Sequence, residues 1–453
     1  MNKIYFFCQS CGHETPKWHG KCPACNQWNT LTEQLKSKTT KNKVFDISTK
    51  SKPTLVQEIH CETNVKIKTN DEELDVVLGG GIVSGSVILL AGQPGIGKST
   101  LLLQVALKIN AKVLYVSGEE AQTQIKIRAD RLGFKNTKCH VYSETSSADI
   151  INHCKHNHDK NDSYSLVVID SIQTLFSDAV DSPIGSVNQI KQCCAELVNY
   201  AKATHTPIIL IGHITKEGQI AGPKILEHMV DVVLNFEGDR NFFYRVLRAQ
   251  KNRYGTTAKV GVYEMKSTGL LAVENPSSVL MQNRDSGLSG TAIASTFEGQ
   301  KTFLVEVQAL VSSAVYGTPQ RSANGFNIKR LNMLLAVLEK KCGFKLGVKD
   351  VFLNIAGGIK VSDPSLDLAV VISILSSNED IIVDSKICFC GEVGLNGEIR
   401  PVSRVETQIE EAERLGFTKI IISSHGYKKQ GHRQIQVIPC DKVIDAYRFL
   451  SKL

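Results

Sequence analysis

Long apolar segments are missing from this 453-residue sequence. No apolar run reaches the roughly 18 residues that a membrane-spanning helix needs, so the sequence predicts a chain that does not enter a membrane. The N-terminal stretch MNKIYFFCQSCG lacks the apolar core of a secretory signal and leads directly into cysteines, and we therefore expect a cytoplasmic protein. No repeat of fixed period is present, which argues against a repeat architecture.

The composition is typical of a soluble globular protein with two or more domains, since 42% of the residues are hydrophobic and 22% are charged. The net charge of +8 permits a polyanionic partner but does not require one. Four of the 13 cysteines are clustered near the N-terminus, and the others are scattered among apolar segments. This distribution predicts reduced thiols with one metal site rather than a disulfide framework.

Changes in residue pattern along the chain predict four segments. Residues 1–30 form a small Cys-rich module, and residues 31–60 are a Lys-, Thr- and Ser-rich flexible linker. Residues 61–272 alternate short apolar runs, such as SVILLAG, KVLYVSG, LVVIDS and PIILIGH, with helical patterns, which predicts an α/β domain with a buried parallel sheet. Residues 273–453 mix strands and helices differently and predict a separate α+β domain.

The N-terminal stretch CQSCGHETPKWHGKCPAC carries two Cys-x2-Cys knuckles. Each knuckle directs two thiolates at one ion, so the two together complete a tetrahedral shell for Zn²⁺. About 30 residues cannot bury enough surface to fold alone, whereas zinc contributes roughly 10–16 kcal/mol. Four thiolates leave no open position, which indicates a structural metal. The predicted ligands are Cys8, Cys11, Cys22 and Cys25.

A second stretch with ligand-type side chains, HCKHNH at 153–158, has no matching partner pair elsewhere. We interpret it as a solvated loop before a strand.

The stretch GQPGIGKST matches the phosphate-loop pattern GxxxxGK[ST] and lies between an apolar strand and an apolar helix. In such a loop, backbone N–H groups surround the phosphates of ATP, Lys98 reaches the β- and γ-phosphates, and the Ser99 hydroxyl binds Mg²⁺. The predicted nucleotide-binding residues are Gly92, Gln93, Pro94, Gly95, Ile96, Gly97, Lys98, Ser99 and Thr100.

Two acidic positions follow neighbouring predicted strands. Asp170 ends the run LVVIDS, where its carboxylate would lie beside the magnesium. Glu119 follows KVLYVSG, in the arrangement that orients the attacking water in RecA-like motor ATPases, and we predict that it is the catalytic base. Glu120 is the alternative base, and a simple charge at a helix N-terminus is the remaining interpretation.

The stretch AQKNRYG at 249–255 places Lys251 and Arg253 one residue apart at the end of a strand-like run, so both side chains can leave the same face. A RecA-like core supplies no second cation close to Lys98 in sequence. We therefore expect these two residues to meet the γ-phosphate of a neighbouring subunit, where a trans-acting arginine contributes roughly 10³–10⁵ in rate. The alternative is a surface hairpin with two solvated cations.

Together these motifs resemble the RadA (Sms) family of bacterial recombination proteins along essentially the whole chain. The resemblance rests on the zinc module, on ELDVVLGGGIVSGSVILLAGQPGIGKSTLLLQ, and on YVSGEE, GHITKEG and KNRYG, although the family usually has Phe where Tyr254 stands. It implies a homohexameric ring related in mechanism to the DnaB helicases. It also implies ATP hydrolysis during movement on single-stranded DNA, and action on branched DNA intermediates made by the RecA recombinase. A non-motor ATP-driven clamp or loader remains the alternative.

The C-terminal domain is similar to the proteolytic domain of Lon, but the catalytic pair is missing. Lon-type peptidases need a serine nucleophile and a lysine base. The resemblance places Leu366 at the nucleophile position, with Ser365 one residue away, and Glu406 at the lysine position. We therefore expect no peptidase activity.

Several segments are candidates for DNA contact. The stretch GHITKEG would sense phosphate or DNA through His213, Thr215 and Lys216, and the regions 178–190 and 215–224 would lie near the ring axis. A basic group in the C-terminal domain would contact DNA phosphates or would form only a solvated helix face. Its members are Lys329, Arg330, Lys340, Lys341, Lys345 and Lys349.

Overall fold

The chain divides into two compact units, one of Met1–Arg240 with Arg245–Ala272 and one of Asn241–Tyr244 with Val273–Leu453. No helix in the described part of the chain combines the length and the apolar character needed to cross a bilayer. A computed structural model describes residues 4–8, 14–24, 26–35, 55, 66–134, 136–160, 162–213, 225–238, 244–273, 277, 287–298, 301–314, 317–356, 361–427 and 433–450.

The N-terminal module is a three-stranded antiparallel sheet in the order β2-β1-β3. Its strands are β1 (Ile4–Cys8), β2 (Glu14–Thr15) and β3 (Leu31–Leu35). Leu31 is buried against Cys8 and Cys22, and all five residues of β3 pair with β1. The linker predicted for 31–60 therefore does not begin at residue 31, because Leu31–Leu35 complete the sheet.

The rest of the first unit is built around a sheet of nine described strands in the order β14-β13-β12-β11-β6-β10-β9-β7-β8, beside a small β4–β5 pair. The strands are β4 (Lys66–Ile67), β5 (Ile82–Val83), β6 (Val87–Gly92), β7 (Val113–Ser117), β8 (Cys139–Ser143), β9 (Leu166–Asp170), β10 (Ile208–His213), β11 (Val232–Glu237), β12 (Tyr244–Asn252), β13 (Val260–Lys266) and β14 (Gly269–Ala272). The helices are α1 (Glu72–Leu78), α2 (Lys98–Lys108), α3 (Gln122–Leu132), α4 (Ser147–Asp159), α5 (Val187–Thr204) and α6 (Ile225–Met229).

The strands from β11 to β8 in this order run parallel, and both faces of the sheet are covered. Alternate residues of β6 pack on opposite faces. Ile88 and Leu90 lie in a core that includes α2, whereas Val87 and Leu89 lie in a core that includes α4 and α5. A strand buried on both faces needs apolar residues at every position. The predicted α/β domain with a buried parallel sheet is confirmed.

The HCKHNH stretch lies on α4, so its interpretation as a solvated loop is wrong. The Ser146 side chain accepts a hydrogen bond from the Asp149 N–H and caps the helix. Cys154 is buried in the core, and His153 Nε2 lies 3.0 Å from the hydroxyl of Tyr164.

The second unit contains a seven-stranded mixed sheet in the order β17-β18-β16-β15-β19-β22-β23, with a separate β20–β21 pair. One helix, α8 (Asp367–Glu379), is buried along most of its length, and the combination of helices with this mixed sheet confirms the predicted α+β organisation. The strands are β15 (Thr291–Glu298), β16 (Lys301–Ser313), β17 (Arg321–Asn324), β18 (Lys349–Ile355), β19 (Ile387–Cys390), β20 (Glu392–Val393), β21 (Ile399–Arg400), β22 (Lys419–Ser423) and β23 (Gln436–Cys440). The helices are α7 (Ile328–Cys342), α8 (Asp367–Glu379), α9 (Val405–Arg414) and α10 (Val443–Leu450).

Candidate nucleotide-binding site

The phosphate loop joins the end of a central parallel strand to the start of a helix. Gly92 ends β6, residues 93–97 form the loop, and Lys98, Ser99 and Thr100 begin α2. The N-terminus of α2 therefore presents unpaired backbone N–H groups where phosphates would bind. A β-carbon on Gly97 would come within 2.7 Å of Met265 Cε, and its φ of 114° also favours glycine. The loop thus packs closely on β13.

Lys98 is folded back against its own loop. Its ammonium group donates hydrogen bonds to the carbonyl oxygens of Gly92 at 2.8 Å and Gln93 at 3.0 Å. The residue is only 4% exposed. Burial lowers the pKa of Lys98 to about 8, although the carboxylates of Asp170 and Glu119 act in the opposite direction.

The lowered pKa of Lys98 predicts that ATP affinity falls as the pH rises above about 8. ATP binds the ammonium form, and at pH 9 only about one tenth of nucleotide-free sites would carry it, so the dissociation constant should rise about tenfold between pH 7 and pH 9. Calorimetry in two buffers of different ionisation enthalpy should also detect proton uptake. Lys98→Arg, which stays charged, is the matched control, and equal pH slopes for both proteins would contradict the prediction.

Asp170 lies next to the start of α2, as the sequence predicts. Its carboxylate accepts a hydrogen bond from the Tyr115 hydroxyl at 2.8 Å and another from the Ser99 hydroxyl. Burial raises the pKa of Asp170, and these two hydrogen bonds oppose the rise. The Ser99 hydroxyl and the Asp170 carboxylate thus form the oxygen pair that holds Mg²⁺ in phosphate-loop enzymes, so the residues fit this ion.

The two adjacent glutamates have different partners. Glu119 accepts hydrogen bonds from the Ser171 hydroxyl at 2.6 Å and from His213 Nε2 at 3.3 Å, and its side chain is 42% exposed. Glu120 instead forms an ion pair with Arg128 of α3. Among the described contacts, Glu119 is therefore the glutamate that is hydrogen-bonded to residues beside the phosphate loop, and it is the more exposed of the two.

His213 connects Glu119 to Lys98. Its Nδ1 atom lies 3.2 Å from the Lys98 ammonium group, which can only donate in its charged form, so Nδ1 accepts and Nε2 carries the hydrogen donated to Glu119. Thr215, Lys216 and the predicted DNA-contacting region 215–224 lie outside the described residues. The predicted contact region 178–190 is described, and it exposes Ile184.

Two residues at this site were missed by sequence reasoning. Tyr115, on β7, binds Asp170 from within the buried core. Arg245, on β12, is buried, and its Nε donates to the carbonyl oxygen of Ile96 in the phosphate loop at 3.3 Å. The available signal for Arg245 was a charged residue directly before the apolar pair Val246 and Leu247 in β12.

Lys251 and Arg253 both lie beside the connection between α6 and β11. The Lys251 ammonium group donates to the carbonyl oxygens of Glu227 and Val230, each at 2.7 Å. Arg253 follows the end of β12 at Asn252, so it lies just beyond the strand that the sequence predicts for it. One guanidinium nitrogen of Arg253 lies 3.2 Å from Asp231, and the side chain is 53% exposed.

This pair of cations lies at the opposite edge of the sheet from the phosphate loop. Phe236 of β11 pairs with Gly92, whereas Val232 pairs with Asn252. Val232 and Phe236 are four positions apart on β11, so at about 3.3 Å per residue the two edges are about 13 Å apart along the strand. Arg253 is therefore directed away from the nucleotide site of its own chain.

The N-terminal module brings two of the four predicted zinc ligands together. Cys8 and Cys22 are fully buried in one small cluster with Leu31, and Cys8 Sγ lies 3.2 Å from the Thr30 hydroxyl. Two buried sulfur atoms from the two separate knuckles fit a thiolate zinc site. Cys11 and Cys25 lie outside the described residues.

In the second unit, the position that the Lon resemblance assigns to the nucleophile is buried. Leu366 is 0% exposed, and the neighbouring Ser365 hydroxyl is buried and donates to Thr296 Oγ1 at 3.1 Å. Glu406 pairs with Arg433. The absence of peptidase activity stays a prediction, and these contacts agree with it.

Within the predicted basic group, Arg330 is held by two carboxylates. It binds Asp367 through two nitrogens, and one of these also lies 3.5 Å from Glu392. The Asp367 side chain is 0% exposed, so Arg330 neutralises a buried charge. Lys329, Lys340, Lys341 and Lys345 are exposed, and their contact with DNA remains a prediction.

The Arg330→Ala variant should lose about 3 kcal/mol of local stability in the second unit, because it leaves the buried Asp367 carboxylate without its main partner. Hydrogen exchange measured by mass spectrometry should show faster exchange in peptides from α8. Lys329→Ala, which removes an exposed neighbouring cation, is the matched control. Equal exchange in the two variants would contradict the predicted role of the ion pair.

A phosphate loop after a central parallel strand, with a buried aspartate on a nearby strand, defines a P-loop ATPase domain of the RecA-like class. Family models match three parts of the chain. Residues 57–219 match an AAA domain, and residues 6–33 match a rubredoxin metal binding domain. Residues 308–426 match subunit ChlI of Mg-chelatase.

Curated relatives match along almost the whole chain. DNA repair protein RadA of Bacillus subtilis is 46% identical over 456 residues, covering 98% of both chains. The proteins of the same name from Listeria monocytogenes and Streptococcus pyogenes serotype M1 are 44% and 42% identical, covering 98% of this chain and 97% and 98% of theirs. The chain belongs to the RadA family of DNA repair proteins.

Proposed function

We propose that this chain is a DNA-dependent ATPase that works as a homohexameric ring, a helicase or translocase on single-stranded DNA. Its substrates would be the branched intermediates made by the RecA recombinase, and its role would be branch migration during DNA repair in the cytoplasm. ATP with Mg²⁺ would drive the motor, and Zn²⁺ would stabilise the N-terminal module.

The observation that carries this proposal is the position of Arg253. The nucleotide pocket holds Lys98 and the carboxylates, but Arg253 lies at the far edge of the same sheet, half exposed. A cation placed there is too far from the phosphate loop of its own chain, which supports a role in the pocket of another protomer, and repetition of such a head-to-tail contact closes into a ring when the rotation permits.

Within each pocket the proposed roles follow from the contacts. Lys98 would leave the carbonyl oxygens of Gly92 and Gln93 to bind the β- and γ-phosphates. Ser99 and Asp170 would hold Mg²⁺, which supplies neutralisation of phosphate charge. Glu119 would accept a proton from the attacking water.

His213 supports a link between DNA contact and hydrolysis. It ends β10 two residues before the region 215–224 that we propose to contact DNA, and it touches both Lys98 and Glu119. A displacement of the chain beyond His213 would therefore change the hydrogen bonds of both groups.

Three measurements on the purified full chain test the proposed function. ATP turnover should rise with single-stranded DNA more than with duplex DNA, sedimentation should detect a hexamer, and a forked substrate should lose its displaced strand only with hydrolysable ATP. Lys98→Ala is the inactive control. DNA-stimulated turnover without displacement or translocation would favour the clamp or loader, and full activity of an isolated monomer would contradict the ring.

A further inference from the structure

Two exposed tryptophans lie on the N-terminal module, and they are the only tryptophans of the chain. Trp18 is 58% exposed and Trp28 is 70% exposed. Tryptophan is usually buried over most of its surface, so two neighbouring exposed indoles indicate a binding surface.

Gly20 lies between the two indoles. A β-carbon at Gly20 would lie 3.6 Å from the Trp28 ring and 3.8 Å from the Trp18 ring. Both rings therefore border the same piece of backbone, and the glycine leaves the space between them open.

Backbone hydrogen bonds around Cys22, in the second Cys-x2-Cys knuckle, fix the segment that carries the rings. The Cys22 N–H donates to the Gln27 carbonyl oxygen at 2.9 Å, and the Asn29 N–H donates to the Gly20 carbonyl oxygen at 2.9 Å. Lys21 and Trp28 face each other as an antiparallel bridge. This small hairpin ends at the buried Cys22, so the predicted zinc site would fix the positions of the rings.

The charge around the rings has one sign. Lys17 and Lys21 are exposed, and the Lys21 ammonium group lies 5.9 Å from the centre of the Trp28 ring. Residues 15–30 contain no Asp or Glu. Aromatic rings interleaved with lysines are typical of surfaces that bind single strands, because bases stack on the rings while the cations contact phosphates.

We propose that Trp18 and Trp28 form a stacking platform for the bases of single-stranded nucleic acid, with Lys17 and Lys21 beside the phosphates. This inference rests on the proposed action of the chain on single-stranded DNA, and it adds a contact site outside the ATPase domain. A protein partner is less favoured, because lysine is depleted in protein–protein interfaces, whereas here Lys17 adjoins Trp18 and Lys21 lies over Trp28.

The tryptophan fluorescence of the full chain tests the platform, since both tryptophans lie on it. Oligo(dT) should quench tryptophan emission, and added salt should reverse the quenching. Trp28→Ala should weaken oligo(dT) binding about tenfold, and Trp28→Phe should restore most of it. Gln27→Ala is the matched control, because it shortens an exposed neighbouring side chain and leaves both indoles in place. Zinc content measured for each variant verifies that the module is folded.

Labelled oligo(dT) in a parallel anisotropy titration separates the possible failures. Binding without any change in tryptophan emission would overturn the platform and leave the proposed function standing. No binding at all would overturn both. Quenching by purified RecA recombinase but not by oligo(dT) would also overturn the platform, in favour of a protein-docking surface.

Discussion

Arg253→Ala should leave ATP binding within about twofold and should lower ATP turnover by roughly 10³–10⁵-fold. The variant keeps the phosphate loop intact, because Arg253 lies at the other edge of the sheet and contacts Asp231 rather than any loop residue. It removes the positive charge that we propose to reach the γ-phosphate in the neighbouring protomer. Binding of a fluorescent ATP analogue and steady-state hydrolysis should be measured on the same preparation.

Mixed rings test whether Arg253 acts across the interface. In a mixture of Arg253→Ala and Lys98→Ala subunits, some interfaces combine an intact phosphate loop with an intact arginine, so part of the turnover should return. Arg253→Lys controls for the loss of the Asp231 ion pair, because it retains the charge but not the planar two-nitrogen geometry. If correctly sized mixed rings recover no activity, Arg253 does not act in trans.

Glu119→Gln should reduce turnover by roughly 10²–10⁴-fold with little change in the apparent affinity for ATP, because the amide cannot accept the proton of the attacking water. Its size and its hydrogen bonds to Ser171 and His213 can be retained, so the pocket should keep its shape. The measurement is kcat and KM for ATP in the presence of single-stranded DNA.

Glu120→Gln is the natural control for this experiment. Glu120 is the adjacent residue with the same chemistry, but its carboxylate pairs with Arg128 on α3. We expect its kcat to stay within about threefold of the unaltered protein, the size of effect that a partly exposed ion pair produces. A larger loss of kcat in Glu120→Gln than in Glu119→Gln would identify Glu120 as the base.

The parts of the fold that the sequence predicts are those that depend on neighbouring residues. A phosphate loop is one continuous stretch, and a strand buried on both faces appears as an unbroken apolar run, as Val87–Gly92 does. These features require no knowledge of distant contacts. The α/β domain and the α+β domain could therefore be predicted from the sequence.

Contacts between distant residues could not be predicted in this way. Arg245 binds a loop carbonyl 149 positions earlier, and Tyr115 binds Asp170 across 55 positions. Neither belongs to a motif, so only the packing of the strands brings them to the site. The same limit explains β3, whose LTEQL sequence resembles a linker until β1 pairs with it.

Local composition can also mislead. His153, His156 and His158 suggest a solvated loop, but every third or fourth residue of α4, such as Ile150 and Cys154, is buried against α5 and its neighbours. The polar residues occupy the other face of the helix. Spacing at helical intervals was the stronger signal there.

If Arg253 completes a neighbour's pocket as we propose, its separation from Lys98 across one sheet gives each subunit a direction, with an acceptor end and a donor end. A closed assembly of identical subunits then has as many finished pockets as members, whereas an open row always leaves its last acceptor without a donor. Dilution that opens the circle would therefore inactivate more pockets than the number of subunits that it releases.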